Sequence, residues 1–75
     1  MDAAIEELTA RMAREGATEA LLIERGKRYW QLRDVPHCFA DYDAAIALNS
    51  ESPAVHLRQM CEEILAFYNK DMYNP

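Results

Sequence analysis

A glycine stands in the middle of a helical stripe of this chain, between two large side chains. Leu22, Gly26 and Tyr29 fall at i, i+4 and i+7, which puts them on one face of a helix. Glycine inside a helix costs about 1 kcal/mol relative to alanine, so its place there is best explained by a neighbouring helix that must come close. The segment that follows supplies the matching face. Cys38, Tyr42 and Ala45 repeat the same spacing, with one bulky aromatic between two small residues. The two stripes are complementary, and together they predict a helical hairpin spanning 18–49.

Turn and cap chemistry divides the rest of the chain. A first helix is expected over 2–15, with Ile5, Leu8 and Met12 on one face and Gly16 as its stop. Thr18 is suited to cap the second helix, and Glu19 sits favourably in its positive first turn. That helix is expected to reach about Leu32, with Arg33 and Asp34 as the turn. Asp34 caps the third helix, and Pro36 in the first turn costs little because its missing N–H would have no intrahelical acceptor. The third helix ends near Leu48. After the link Asn49–Glu51, Ser52 followed by Pro53 pairs a capping hydroxyl with a proline at the first helical position. The fourth helix should run over 53–69, leaving 70–75 as a tail. The expected architecture is one all-α domain over 1–75, an antiparallel α-hairpin stack of about four helices.

Internal similarity supports a repeat. Moving Leu22, Gly26 and Tyr29 forward by 35 residues lands on Leu57, Cys61 and Ile64, which keeps a large, small, large pattern on the fourth helix. Moving Cys38 and Tyr42 back by 34 lands on Ala4 and Leu8 of the first. The packing set is therefore Leu22, Gly26, Tyr29, Cys38, Tyr42, Ala45, Leu57, Cys61 and Ile64. Two helices per period in the mid-thirties is the signature of tetratricopeptide arrays. Arg25-Gly26-Lys27-Arg28-Tyr29-Trp30-Gln31-Leu32-Arg33-Asp34 resembles that family's first helix and turn, and Asp41-Tyr42-Asp43-Ala44-Ala45-Ile46-Ala47-Leu48-Asn49 resembles its second helix and exit. The clear likeness covers about half the chain: one whole repeat at 18–49 flanked by two half repeats. Arg33 departs from the pattern where a turn glycine is common, Cys38 where alanine is common and Ser50 where a repeat-ending proline is usual. The ending Phe67–Pro75 also resembles the tail of small bacterial proteins of this type. The resemblance implies a fragment of a right-handed α–α superhelix, acting as a scaffold or adaptor.

Composition narrows the function classes. Eight basic against thirteen acidic residues leave a net charge of −5, which repels a phosphate backbone, so nucleic acid is not an expected partner. The sequence contains no run of about 20 apolar residues to span a membrane, and the acidic amino terminus lacks the basic start of a secretion signal. The expected compartment is the cytoplasm. The initial methionine favours a whole gene product over a piece of a longer array. Cys38 and Cys61 sit at small-residue positions on apolar faces, where free cysteine behaves as a small hydrophobe, and a disulfide between them is disfavoured in that compartment.

Catalytic constellations are scarce. Two glycines in all leave no phosphate-cradling loop. Adjacent helical residues point about 100° apart, so His37 and Cys38 do not share a metal ion, and His56 and Cys61 lie on different faces. No enzyme activity, metal or cofactor is expected. In the resembled family the first helix of a repeat lines a concave groove that takes peptides, and the carry-over places Ile23, Lys27, Trp30 and Gln31 toward it. Ile23, Lys27 and Trp30 also follow i, i+4, i+7 by their own spacing. Trp30 is the strongest anchor candidate; the alternative is that the first helix, Met72 or Tyr73 covers it. Lys27 stands without the asparagine and lysine set that grips a free peptide carboxylate. The expected function is binding of a protein or peptide partner. The runner-up is a capping or self-association module, because Leu65 and Phe67 lie off the Leu57, Cys61, Ile64 and Tyr68 stripe and make the fourth helix apolar over more than one contact requires. A symmetric dimer is the form expected of that association.

Overall fold

The computed structural model describes residues 2–73, with side chains through Tyr68. Four helices follow one another: α1 Ala3–Glu15, α2 Glu19–Gln31, α3 Val35–Leu48 and α4 Ala54–Tyr73. The described residues contain no strand, so the fold is all-α.

Each boundary has a local cause. Asp2 Oδ1 accepts from the Ile5 amide at 3.1 Å, and Gly16 ends α1 at φ 94°, ψ 154°, a conformation essentially reserved for glycine. A Cβ there would meet nothing within 4 Å, so the requirement is conformational and not one of space. Thr18 Oγ1 caps α2 by accepting from Leu21 N at 3.2 Å. At the other end of α2, Arg33 N donates to Trp30 O at 3.0 Å and Asp34 N to Tyr29 O at 2.9 Å. This paired set of reversed bonds is the Schellman closure, and it requires a left-handed residue at Arg33. Arg33 has φ 64°. Asp34 then caps α3 by accepting from His37 N at 3.4 Å. Ser52 Oγ accepts from Ala54 N at 3.1 Å, and Leu57 N donates to Pro53 O at 3.0 Å, so the first turn of α4 closes on the expected pair. The helix continues through Tyr73 and not to Asn69. The stretch Asn69-Lys70-Asp71-Met72-Tyr73 holds neither glycine nor proline, so nothing breaks the helix where a tail was expected.

The centre of the molecule is the α2–α3 contact. A Cβ at Gly26 would lie 2.7 Å from Tyr42 Cε1 and 2.8 Å from its Cδ1, so the bare backbone is what lets the Tyr42 ring lie flat against α2. Leu22, Cys38, Tyr42, Ala45, Ala54 and Cys61 form one buried cluster, with Tyr29, Ile23, Trp30 and Leu57 packed against it half-buried. Both cysteines are free thiols.

A polar seam runs beside this core. The Arg25 guanidinium grips Asp41 through two parallel bonds, Nε to Oδ2 at 2.8 Å and Nη2 to Oδ1 at 2.7 Å, and its Nη1 donates to Thr9 Oγ1 at 3.0 Å. One side chain thus ties α2 to both α1 and α3. Asp41 is only 5% exposed, a burial that a carboxylate tolerates only with such pairing. Arg28 holds Asp2 at 2.6 Å, fastening the start of α1, and that guanidinium keeps the Asp2 carboxyl below its usual range. Glu19 accepts from Ser52 and, at 3.1 Å, from Asn49 Nδ2, which pins the α3–α4 link onto the head of α2 and lowers its carboxyl likewise.

The Cα trace measures 47 × 31 × 13 Å along its principal axes. The main contacts run between helices successive in the chain, α1 with α2, α2 with α3 and α3 with α4, so α1 and α4 are the outer elements of the stack, and the sequence-named contact residues lie on α2 toward its carboxyl-terminal end.

Candidate functional site

The four residues proposed for partner contact are all on α2 but in different surroundings. Ile23 and Trp30 are half-buried against the core cluster, while Lys27 and Gln31 are exposed. Gln31 Oε1 accepts from Arg28 Nη1 at 2.9 Å, so its amide N–H groups are the part that faces outward chemistry. Met72 and Tyr73, the proposed covers for Trp30, have side chains outside the described residues.

Trp30 and Gln31 form one wall of a cleft of about 610 Å³. Arg33 and Val35 close its end, and Ile64, Leu65 and Tyr68 of α4 make the opposite wall. The cleft exists because α2 stops at Gln31 whereas α4 is 20 residues long and continues past it. Its chemistry is an apolar floor with one charge, Arg33. Arg25, Arg28 and Arg58 are each held by a carboxylate, but Lys27 and Arg33 make no ion pair among the described residues. Of these two, Arg33 lines the cleft with the tryptophan.

The outer side of α4 adjoins the cleft. Met60, Glu63, Ile64, Phe67 and Tyr68 line a shallow apolar surface that shares Ile64 and Tyr68 with it. Of the seven large hydrophobic residues exposed among the described residues, Val55, Met60, Ile64, Phe67 and Tyr68 are on α4. Ile64, placed by the repeat shift among the packing residues, is 40% exposed. The reason is one of length: α3 gives α4 a surface as far as Cys61, which is buried beside Cys38, and the next turn of α4 lies over the cleft. Leu57 packs half-buried as the shift requires, and Leu65, expected to be surplus, faces Trp30.

The reactive side chains are elsewhere, and most are occupied. Burial pushes the Cys38 thiol up to about 12, reinforced by the neighbouring Cys61 sulfur, and burial raises Cys61 and the Tyr42 hydroxyl as well. These groups are neutral near pH 7, and a buried neutral thiol is a poor nucleophile. His37 is exposed, stacked on Tyr29 at a centroid distance of 4.9 Å, with Nδ1 2.8 Å from Asp34 Oδ2. His56 is exposed as well. Among the described residues no group of three or more His, Cys, Asp or Glu side chains is arranged to hold a metal ion, and no helix is long and apolar enough to cross a membrane.

Several residues of this region were not marked by the sequence. Val35 and Met60 gave no signal, because an apolar residue at a helix end or off the packing stripe of its helix is unremarkable by pattern. Arg33 did give one, as an arginine at a turn position where glycine is common. Comparison of the chain with protein-family models, curated proteins and solved structures gives no match.

Proposed function

We propose that this chain is a non-catalytic protein-interaction module, tetratricopeptide-like in how its central helices pair, which takes a partner segment along α2 and into the cleft at its end. The observation that carries the reading is the cleft itself: an open, mainly apolar space walled by the single tryptophan of the chain and by α4, with Arg33, which makes no ion pair among the described residues, at its end. Contiguous exposed apolar surface on a small protein marks a contact site, and tryptophan and arginine are the residues most enriched among interface anchors. Ile23 and Trp30 supply the apolar contact, Lys27 and Gln31 the polar rim. The absence of catalysis is inferred from the chemistry: the thiols and Tyr42 are buried and neutral, and the carboxylates are either paired across helices or spread along exposed faces.

Trp30 also provides the assay, since its emission reports on this cleft alone. Partner addition should shift that emission, and Trp30→Ala should abolish capture of the partner while far-UV circular dichroism stays helical. Undiminished capture by a folded Trp30→Ala chain would remove the reading.

A further inference from the structure

We infer that the cleft at the end of α2 takes an acidic segment of another protein: a large apolar side chain enters between Trp30 and α4, and an Asp or Glu close to it in the segment pairs with Arg33. The inference rests on the interaction reading above and adds the chemistry of the partner.

The first support is the sign of the cleft. The chain holds 13 acidic residues against 8 basic ones, yet the lining of the cleft carries one cation, Arg33, and no carboxylate. The acid next to Arg33 in sequence is occupied. Asp34 Oδ1 accepts from His37 N at 3.4 Å, and its Oδ2 lies 2.8 Å from His37 Nδ1. Glu63 lines the adjoining surface of α4 and not the cleft. Arg33 therefore has no ion pair among the described residues, and apolar surroundings make such a charge a better partner for an anion than one in open water.

The second support is that the polar groups of the lining are donors. Gln31 Oε1 is taken by Arg28 Nη1 at 2.9 Å, and Arg28 is itself held on Asp2. That fixes the acceptor end of the amide and leaves its N–H groups to be used. Arg33 and the Trp30 indole only donate. A ligand that answers them is rich in acceptors, and a carboxylate answers the charge as well. A basic segment would set like charge against Arg33.

The walls define the rest of the ligand. Trp30 faces Ile64 and Leu65, with Val35 at the end, around about 610 Å³. That space is within the roughly 300–1,000 Å³ of ligand-holding pockets, and its apolar sides suit a large apolar side chain. The cleft is a trough between two helices, so a bound chain can continue out of it. Lys27 lies one turn before Gln31 on the same helix face, exposed and without an ion pair among the described residues. A segment carrying a further acid reaches it; a small carboxylic acid does not.

The backbone adds a fourth support. Arg33 sits at φ 64°, where glycine would fit without the cost of a side chain. Local folding does not call for arginine at that place, whereas an anion in the cleft does.

Selection of a random peptide library, displayed with both peptide ends joined to the carrier, against the immobilised full chain is the test. Selected sequences should carry a large apolar residue with Asp or Glu adjacent or one residue removed. Their affinities are then read from Trp30 emission with end-blocked, tryptophan-free synthetic copies. Arg33→Gly, which keeps the turn, should raise the dissociation constant about 10-fold, as for loss of one charged hydrogen bond. Replacing the acid of the peptide by its amide should do the same, and the two changes together should cost no more than either alone. Arg33→Glu, checked for helicity by circular dichroism, should turn the selection from acidic to basic neighbours. Selected sequences without an acid, or an acid whose loss adds in full to Arg33→Gly, overturn the inference; if their binding still depends on Trp30, the interaction module stands with a partner of other chemistry. A library that yields no Trp30-dependent binder overturns both. Laurate, an apolar small acid, should leave Trp30 emission unchanged at concentrations where the peptides saturate, and equal binding by laurate overturns a protein segment as the occupant.

Discussion

The α2–α3 hairpin and the carboxyl-terminal half of α4 both carry apolar stripes but put them to opposite uses. In the hairpin the predicted stripes are spent on each other: Tyr42 closes over Gly26, Leu22 is buried in the same cluster, and Cys38 and Ala45 are fully buried. The long side chains left over on that interface are charged and locked, Arg25 on Asp41. In α4 beyond Cys61 the periodicity is just as strong, yet Ile64, Phe67 and Tyr68 are 40%, 68% and 76% exposed. Periodicity reports that a face is apolar. Whether the face becomes core or contact surface depends on what lies across from it, and here the difference is a Tyr42 ring seated 2.7 Å from where a Cβ would be at Gly26 against an empty cleft beside Leu65.

Breaking the hairpin should therefore be far more damaging than trimming α4. The largest effect is expected from Asp41→Ala. Removing the carboxylate leaves the Arg25 guanidinium partly buried beside the core without its two bonds, and loss of one member of a buried pair costs about 3–5 kcal/mol. Arg25 retains some solvent access, with 21% of its side chain exposed, so the lower end of that range applies. The whole domain has only about 4–11 kcal/mol to lose at this length. Urea denaturation should show the midpoint collapsing or the chain unfolded in buffer, whereas Ile64→Ala should leave it within about 0.5 kcal/mol, as for a surface substitution. Equal losses at the two sites would erase the contrast between the regions.

A smaller break tests the close approach itself. Gly26→Ala gains about 1 kcal/mol of helix propensity but places a methyl group 2.7 Å from Tyr42 Cε1. The ring cannot swing away, being 2% exposed within the core cluster, and overpacking of this kind costs about 1–3 kcal/mol. The net expectation is a loss of about 1 kcal/mol, in the direction opposite to the helix propensity. A Gly26→Ala chain more stable than the natural one would mean that the helices do not need the bare backbone.

How much of this was legible beforehand follows from the same contrast. Gly26 announced its contact because an unfavourable residue in a helix demands a reason, and the caps at Thr18, Asp34 and Ser52 were legible because their chemistry is local. The Arg25–Asp41 clamp was not, since its partners are 16 residues apart and charged residues on helices read by default as solvated. The same default hid Asp2, which serves at once as the cap of α1 and as the counter-ion of Arg28. On α4 the repeat shift put Ile64 with the packing residues, whereas Ile64 is 40% exposed and lines the cleft beside the half-buried Leu65. A period of 3.6 fixes which residues share a face, but the length of the neighbouring helix decides where cover ends.

The turn that ends α2 gives the finest test, because there the chain keeps a residue its backbone does not favour. Arg33 occupies the left-handed region at φ 64° because the bonds from its amide to Trp30 O and from Asp34 N to Tyr29 O require it. A non-glycine residue there carries about 1–2 kcal/mol of strain, while glycine would return about 0.5–1 kcal/mol of that through its greater freedom in the unfolded chain. Arg33→Gly should therefore stabilise the fold by about 0.5–1 kcal/mol, read as a higher urea midpoint. If the same substitution also weakens capture of a partner, stability and contact are separated at one residue: the turn carries strain to keep a cation at the end of the cleft. If it neither stabilises the fold nor touches partner capture, Arg33 is incidental, and the contrast between a hairpin closed over Gly26 and an exposed α4 end loses the residue that lies between them.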